Sequence, residues 1–541
     1  MKAISKRSSK SSVDLTRYPY PSGRRAVLGR RAALAASHPL AVAAGAETLF
    51  AGGNAVDAAL AMAAALTVVM PVANGLGGDL FALVEDERGL YGLNASGKSP
   101  GGLPAERFLR EGRIPRHGWP AVTVPGVVSG WAALAERFGR LPLARVLAPA
   151  IRYAREGHPV APEVARAWRR AARVYLKLEG PEFEPFKRVF FPGGRAPGAG
   201  EVWKSEAHAK TLEQLAEGGA EAFYRGPLAE KIAAFARETG GFLSEEDLAL
   251  HRPLWVEPLS AEFRGARVFE LPPNGQGAVA LLALRVLERL GIQAYPDERG
   301  LHLAIEATKR AFAEAFREIG DPEADPEAAA RLLDPERVAR IADAIGEEAG
   351  PWPEPSHVPG GTVYLAAADG AFRVSLIQSN YMGFGAGVLV PGTGIALQNR
   401  GAGFVAVPGH KNQIAPGKRP YHTIIPGFLE LPGGWRGAFG LMGGFMQPQG
   451  HLQLVLRLVL EGLNPQAALD APRWQLDFSS QAVLFEPGFS REVALALVER
   501  GHRVALEPEY ARFGRGQFAL RRGEVLLAAS EPRADGLAFA L

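Results

Sequence analysis

The chain has 541 residues, 47% hydrophobic and 22% charged, a composition that fits an ordinary folded protein and excludes a disordered or fibrous one. At about 100–200 residues per domain, the length predicts three or four domains or one large α/β unit. There is no cysteine, which excludes a thiol nucleophile, cysteine-bound zinc, iron–sulfur clusters and disulfides, and a net charge of +4 without a basic stripe gives no reason to expect nucleic acid as a partner.

Residues 1–12 are rich in Lys and Ser, and no apolar stretch long enough for a signal-peptide core precedes Arg24-Arg25 and Arg30-Arg31. Residues 1–34 therefore read as a basic, partly disordered tail and leader, and the protein as cytoplasmic. The uncharged run 58–78 has the length of a membrane span. Its Thr67, Pro71 and Asn74, and the Gly-rich end at 75–78, point instead to a buried helix that stops before a turn.

Helix formers broken by Pro and Gly follow at 106–109, 131–138, 143–156, 162–177, 206–217 and 227–238. At 301–319, Leu301, Ala304, Ile305, Phe312 and Phe316 oppose Glu306, Arg310, Glu314 and Arg317, the pattern of an amphipathic helix. Residues 321–350 are acidic and predicted helical. Residues 351–361 carry four prolines and, with Gly350, three glycines, which disfavours either regular element. Beyond this linker the runs 362–368 and 372–378 flank Asp369-Gly370 and predict a hairpin in a buried sheet. Further strands are predicted at 394–397, 403–407, 423–429, 437–442 and 525–528, with helices at 449–460 and 490–500. A helix-rich part and a sheet-rich part joined in this way are two domains, or one domain with a long loop.

Two motif matches fail on their own chemistry. Residues 92–99 fit the phosphate-binding P-loop pattern, but Pro100-Gly101-Gly102-Leu103-Pro104 cannot propagate the helix whose amides would hold phosphate. Residues 97–101 fit a nucleophile elbow around Ser99, yet the next residue, Pro100, has no N–H to give an oxyanion. The 11 histidines show no metal-ligand spacing, so no metal or organic cofactor is expected.

Two other stretches carry a resemblance. Residues 51–59, Ala-Gly-Gly-Asn-Ala-Val-Asp-Ala-Ala, followed by Gly-Leu-Gly-Gly-Asp-Leu-Phe at 75–81, closely resemble the opening of the γ-glutamyltransferase family. Residues 362–369, Thr-Val-Tyr-Leu-Ala-Ala-Ala-Asp, resemble the start of that family's small subunit, and the likeness continues through Asn380, Phe384-Gly385, Gln398-Asn399, residues 416–420 and Gly443-Gly444. The resemblance covers roughly residue 35 to the C-terminus in order. It implies an N-terminal-nucleophile hydrolase: an α+β fold, a four-layer αββα sandwich formed by a large subunit, 35–361, and a small subunit, 362–541, of a self-cleaved precursor. The two subunits would pair as a heterodimer that can dimerise further.

By that resemblance Thr362 attacks the Gly361 carbonyl, water opens the ester, and the freed threonine then attacks substrate amides through an acyl-enzyme. The residue chemistry agrees, because a hydroxyl is a weak nucleophile without a base, and a free α-amine of pKa ~7.7–8.0 is one. Gly443 and Gly444 match the family's oxyanion-hole glycines, Asn380 a substrate-binding asparagine, and His422 and Thr423 two neighbouring serines that bind a carboxylate. Three departures fall on the acyl pocket. Lys98 stands near the place of a missing carboxylate-clamping arginine, Gly403 replaces a carboxylate that would pair with the substrate α-amine, and Arg400 enters beside it. Gln378 replaces a threonine that would orient the nucleophile's amine.

The expected activity is a glutathione hydrolase-like amide hydrolase or acyltransferase acting on a γ-glutamyl or related acyl amide, with water or an amine as acceptor. A pocket that loses an anion and gains a cation should prefer an acyl group without a free amine. The alternatives are a glutaryl- or cephalosporin-acylase-like amidohydrolase and a non-catalytic binding relative of the same fold.

Overall fold

The computed structural model describes residues 23–354 and 361–541; most of the predicted tail, and residues 355–360 of the linker, lie outside them. The Asp369-Gly370 turn forms as expected, with Asp369 Oδ1 accepting from the amides of Ala371 and Phe372, both at 2.7 Å. It joins the strands Gly361–Asp369 and Arg373–Tyr381, which are buried almost throughout because neighbouring layers cover both faces. Val363, Leu365 and Ala367 belong to one apolar cluster, whereas Tyr364, Ala366 and Ala368 belong to another, the two-residue alternation of a pleated strand.

This hairpin is the centre of a seven-stranded sheet. Its order is Leu537–Ala540, Ala32–Ala36, Gly361–Asp369, Arg373–Tyr381, Asp79–Glu85, Leu90–Ala95 and Leu254–Val256. A second seven-stranded sheet runs Val27–Gly29, Val525–Ser530, Arg515–Arg522, Arg436–Met442, Gly427–Glu430, Ala266–Glu270 and Leu259–Phe263. Every pairing in both is antiparallel. The cluster containing Tyr364 and Ala366 also holds Phe428, Ala438 and Ala519, so the two sheets pack on each other. At Gly440 a Cβ would lie 2.7 Å from the Tyr364 ring, which is why glycine stands where that ring crosses to the second sheet.

Helices cover the outer faces. Ala55–Val69 is capped by Asn54 and Asp57 in a reciprocal box, and all of its residues are buried. It packs on the central hairpin strands. On the other side Gly277–Arg289, Glu298–Glu318 and Met446–Val459 share a core with Val268, Leu429, Phe439 and Phe518 of the second sheet. Each buried Leu, Val or Phe contributes roughly 1.5–3 kcal/mol. The N-terminal part thus lends strands to the same sheet as Gly361–Asp369, so the helix-rich and sheet-rich parts are not two separate domains.

Several predicted strands are not regular. The stretch 394–397 makes only isolated bridges, Leu389 to Ala396 and Gly77 to Leu397, and 403–407 follows the 3-10 turn Arg400–Gly403 with one bridge, Val405 to Gln413. Of 423–429 only the end is a strand, Gly427–Glu430. These runs are apolar because they are buried loops, and burial alone does not distinguish a loop from a strand. The acidic region 321–350 holds two short helices, Ala328–Leu332 and Pro335–Asp343. After the strand Leu90–Ala95 the P-loop-like segment enters no helix, and Ser99 Oγ is bonded to the Ala415 carbonyl at 2.5 Å.

Candidate active site

Thr362 is buried at the start of its strand, and strand alternation places it with Tyr364, on the same side as Ser375, Ile377 and Ser379 of the paired strand. Its hydroxyl donates to Ser379 Oγ at 3.2 Å, and Ser379 Oγ donates to the Gly361 carbonyl oxygen at 2.7 Å. One serine therefore joins a potential nucleophile to the carbonyl that precedes it in the chain. Ser379 Oγ also accepts from the Tyr381 amide at 2.8 Å and from Arg400 Nη2 at 3.4 Å. Tyr381 makes that contact at a φ of 75°, a left-handed conformation that costs a non-glycine residue about 1–3 kcal/mol and is held by its surroundings.

Arg400 is fully buried at the head of its 3-10 turn. Its guanidinium lies 4.1 Å from the Tyr381 ring centre, and Nη1 donates to Thr423 Oγ1 at 2.9 Å. Among the described residues its Nε has no partner, although a guanidinium offers five N–H donors. Burial lowers the Arg400 pKa to about 10, with Tyr381 and Asp79 opposing, so it stays charged at neutral pH. Such a group is a ready-made receptor for a carboxylate. At Gly403 a Cβ would meet the Tyr421 carbonyl oxygen at 3.0 Å, a close approach of backbone to backbone.

His422 faces away from this edge. Its Nε2 lies 2.9 Å from Asp79 Oδ2 and its Nδ1 accepts from the Ile424 amide at 3.3 Å, which fixes Nε2 as the protonated nitrogen. Burial, with Arg400 adding, holds its pKa well below the usual value. Burial pushes the Asp79 carboxyl up to about 7, against Arg400, the Gly97 amide, Arg419 and the Gly126 amide.

The glycine pair is tied to the same network. Gln276 Nε2 donates to the Thr423 carbonyl at 2.7 Å and to the Gly444 carbonyl at 2.9 Å. Gly443 and Gly444 have φ of 141° and 62° and precede the helix Met446–Val459, whose N-terminal end favours negative charge. Their carbonyls accept from Met446 and Gln447, and among the described residues neither glycine N–H has a hydrogen-bond partner.

Thr362, Arg400, Thr423 and Gly444 are thus joined by hydrogen bonds, and His422 is held behind them by Asp79. Asn380 is buried beside Ser379, with Nδ2 donating to the Phe384 carbonyl at 3.3 Å and Oδ1 without a partner among the described residues. Lys98 is not part of the network: its ammonium is paired with Glu323 at 2.8 Å in a partly exposed cavity that Arg419 also lines. Gln378 lies on the opposite face of the strand, donating to the Ala63 carbonyl at 2.8 Å and to Asn74 Oδ1 at 2.7 Å. It cannot take the place of an amine-orienting threonine, because alternation turns it toward the helices. Ser379 and Gln276 were not singled out by their sequence pattern, and Asp79 and Gln398 entered only as members of the resembling stretches 75–81 and 398–399, without a role. Asp79 did carry a signal, as the first charge after a 21-residue uncharged run and immediately before an apolar strand.

Among the described residues no group of three or more His, Asp or Glu is arranged to hold a metal, and no helix is long and apolar enough to cross a membrane.

A family model described as Gamma-glutamyltranspeptidase matches residues 41–541. An oxamate amidohydrolase proenzyme of Klebsiella pneumoniae is 37% identical over 520 residues, 93% of this chain and 97% of that protein. A glutathione hydrolase-like proenzyme of Bacillus subtilis is 34% identical over 96% of this chain and 100% of its own. The crystal structure of a cephalosporin acylase from Bacillus halodurans superposes with a TM-score of 0.92 at 48% identity, covering 98% of this chain and 99% of that one.

Proposed function

The chain belongs to the gamma-glutamyltranspeptidase family of hydrolase and transferase enzymes, and from that premise we propose that it cuts its own Gly361–Thr362 bond and then cleaves amides whose acyl group carries a carboxylate but no free amine. The fragments 1–361 and 362–541 would stay together as one four-layer αββα sandwich. The observation that carries the substrate reading is the buried Arg400 guanidinium, only partly satisfied and hydrogen-bonded to the same serine as Thr362.

In self-cleavage the Thr362 oxygen attacks the Gly361 carbonyl carbon. Ser379 takes the threonine proton as it gives its own to the carbonyl oxygen, so no charge is stranded in a buried site. Collapse breaks the C–N bond, the nitrogen takes a proton, and an ester joins Gly361 to the Thr362 oxygen. Water then opens the ester, leaving a Gly361 carboxylate and a Thr362 with free hydroxyl and amine.

In the mature enzyme that amine removes the hydroxyl proton as the oxygen attacks a substrate amide. The Gly443 and Gly444 amides receive the oxyanion, a role typically worth ~10²–10³ in rate per donor. The protonated amine then gives its proton to the leaving amine, and water or another amine takes the acyl group from Thr362. Arg400, backed by Thr423, holds the acyl carboxylate. Only Ser379 stands between Arg400 and Thr362 in the hydrogen-bond chain, which suits a short acyl group. Oxamate, for which the Klebsiella relative is named, has an acyl part that bears a carboxylate and no ammonium.

A second reading, γ-glutamyl transfer, is favoured by the unpartnered Oδ1 of Asn380, an acceptor suited to an ammonium. Oxalyl, succinyl, glutaryl and γ-glutamyl anilides separate the two. The present reading expects at least one of the first three to exceed the γ-glutamyl compound in kcat/KM by ~10-fold, the worth of ~1.4 kcal/mol. Equal or better turnover of the γ-glutamyl anilide would overturn it.

A further inference from the structure

Asp79 is a carboxylate within the polar network behind Arg400, and among the described residues it is hydrogen-bonded to neither Thr362 nor the guanidinium. It is fully buried. His422 Nε2 donates to its Oδ2 at 2.9 Å, Gln398 Nε2 to the same oxygen at 3.3 Å, and the Gly97 amide to its Oδ1 at 3.3 Å. These are donors, the environment of an ionised carboxylate, and the His422 tautomer is locked by Ile424 so that it keeps donating. Yet the carboxyl pKa is raised, because burial outweighs those donors together with Arg400 and Arg419. Tyr224 also faces it, its own pKa raised by burial and by the Asp79 charge.

Arg400 is the largest charge favouring ionised Asp79. The two are joined through Gln398, whose Oε1 accepts from the Arg400 amide at 2.6 Å while its Nε2 reaches Asp79. They are also joined through the His422-Thr423 pair, since Thr423 accepts from Arg400. A second carboxylate placed on the guanidinium would neutralise the charge that stabilises Asp79. Two buried anions would then share the Arg400 charge, with Arg419 the smaller remaining influence on Asp79.

We propose that seating an acyl carboxylate on Arg400 is coupled to uptake of one proton by Asp79, so that Asp79 sets how the enzyme's affinity for anionic acyl groups depends on pH. This rests on the assignment of Arg400 as the carboxylate receptor. When the carboxylate leaves with the product, Asp79 returns the proton to solvent. The coupling has a sign. Affinity for the anionic substrate is greatest where Asp79 is protonated and falls as pH rises.

The test uses the self-processed enzyme. KM for a succinyl anilide, measured from pH 6 to 9, is expected to rise above about pH 7 and to approach tenfold per pH unit, while KM for an uncharged acyl anilide of the same length stays flat. Asp79→Asn is expected to flatten the succinyl KM profile. A flat wild-type profile, or an Asp79→Asn profile as steep as wild type, would overturn the coupling. Where Asp79→Asn fails to fold or process, calorimetry of wild-type enzyme with succinate at pH 8, in buffers of different ionisation enthalpy, decides: uptake approaching one proton supports the coupling, and none overturns it. Succinamide as ligand corrects for the Thr362 amine. Arg400→Gln separates the two readings. Loss of the preference for anionic acyl groups there, with a pH slope unchanged by Asp79→Asn, sinks the coupling alone, whereas an unchanged preference sinks the receptor assignment.

Discussion

Replacing Ser379 by alanine tests the self-cleavage chemistry where the geometry is most explicit. The substitution removes the 2.7 Å donor to the Gly361 carbonyl oxygen, the 3.2 Å acceptor for the Thr362 hydroxyl and the 2.8 Å acceptor for the Tyr381 amide. A donor aimed at a developing oxyanion is worth roughly 2.7–4 kcal/mol, so cleavage should slow by ~10²–10³. Loss of the bond from the Tyr381 amide adds about 0.5–1.5 kcal/mol of destabilisation to the folded precursor, which a denaturant midpoint measures separately. The assay is a time course of freshly synthesised chain on a denaturing gel, following intact protein into fragments 1–361 and 362–541. Cleavage of Ser379→Ala at the wild-type rate would refute the proton relay, because no other side chain is hydrogen-bonded to both the attacking hydroxyl and the receiving carbonyl among the described residues.

Two further predictions concern other parts of the molecule. Gly443→Ala places a Cβ at a φ of 141°, 3.1 Å from Gly514 Cα, and should turn the amide away from an oxyanion, lowering kcat by ~10²–10³ with KM within about twofold; steady-state kinetics with an unchanged kcat would remove this glycine from the oxyanion hole. Glu531 is buried, which alone would raise its pKa, but Arg473, Arg533 and the Gly516 amide bring it down to about 2. Its folded value lies below its unfolded one, so its contribution of about 3 kcal/mol is complete above pH ~4.5 and is lost as pH falls toward 2. Denaturant midpoints should therefore separate wild type from Glu531→Gln widely at pH 7 and less at pH 3; equal separation at both would contradict the charge argument.

The parts of this molecule legible in its sequence are those whose signals are local. The Asp369-Gly370 turn, the buried helix in the uncharged run after Asp57 and the amphipathic helix around Phe312 are written in nearby residues, and all three form, the second as Ala55–Val69. Asp369 shows how much one such residue carries: one oxygen closes the turn and the other accepts from the Ala55 amide at 2.7 Å, joining the hairpin to the helix. What depends on distant partners was not legible. Ser379 is an unremarked serine until strand pairing sets it opposite the Gly361–Thr362 bond, while Gln378, which the resemblance puts in the place of an amine-orienting threonine, is sent to the other face by one step of alternation. Lys98 offered a positive charge near the expected place, but Glu323, more than 200 residues away, takes it. The loops at 394–397 and 403–407 misled because their apolar side chains are buried without a ladder, and their amides find partners within the loops and the Gly-rich turn beside them.

The central claim is that the enzyme makes its own nucleophile at Thr362, and mass spectrometry of purified protein with N-terminal sequencing of the smaller fragment tests it most directly. Two fragments are expected, one ending at Gly361 and one beginning at Thr362, and a Thr362→Ala chain should stay whole and inactive. A wild-type chain that hydrolyses amides while uncut, or whose smaller fragment begins at another residue, would contradict it.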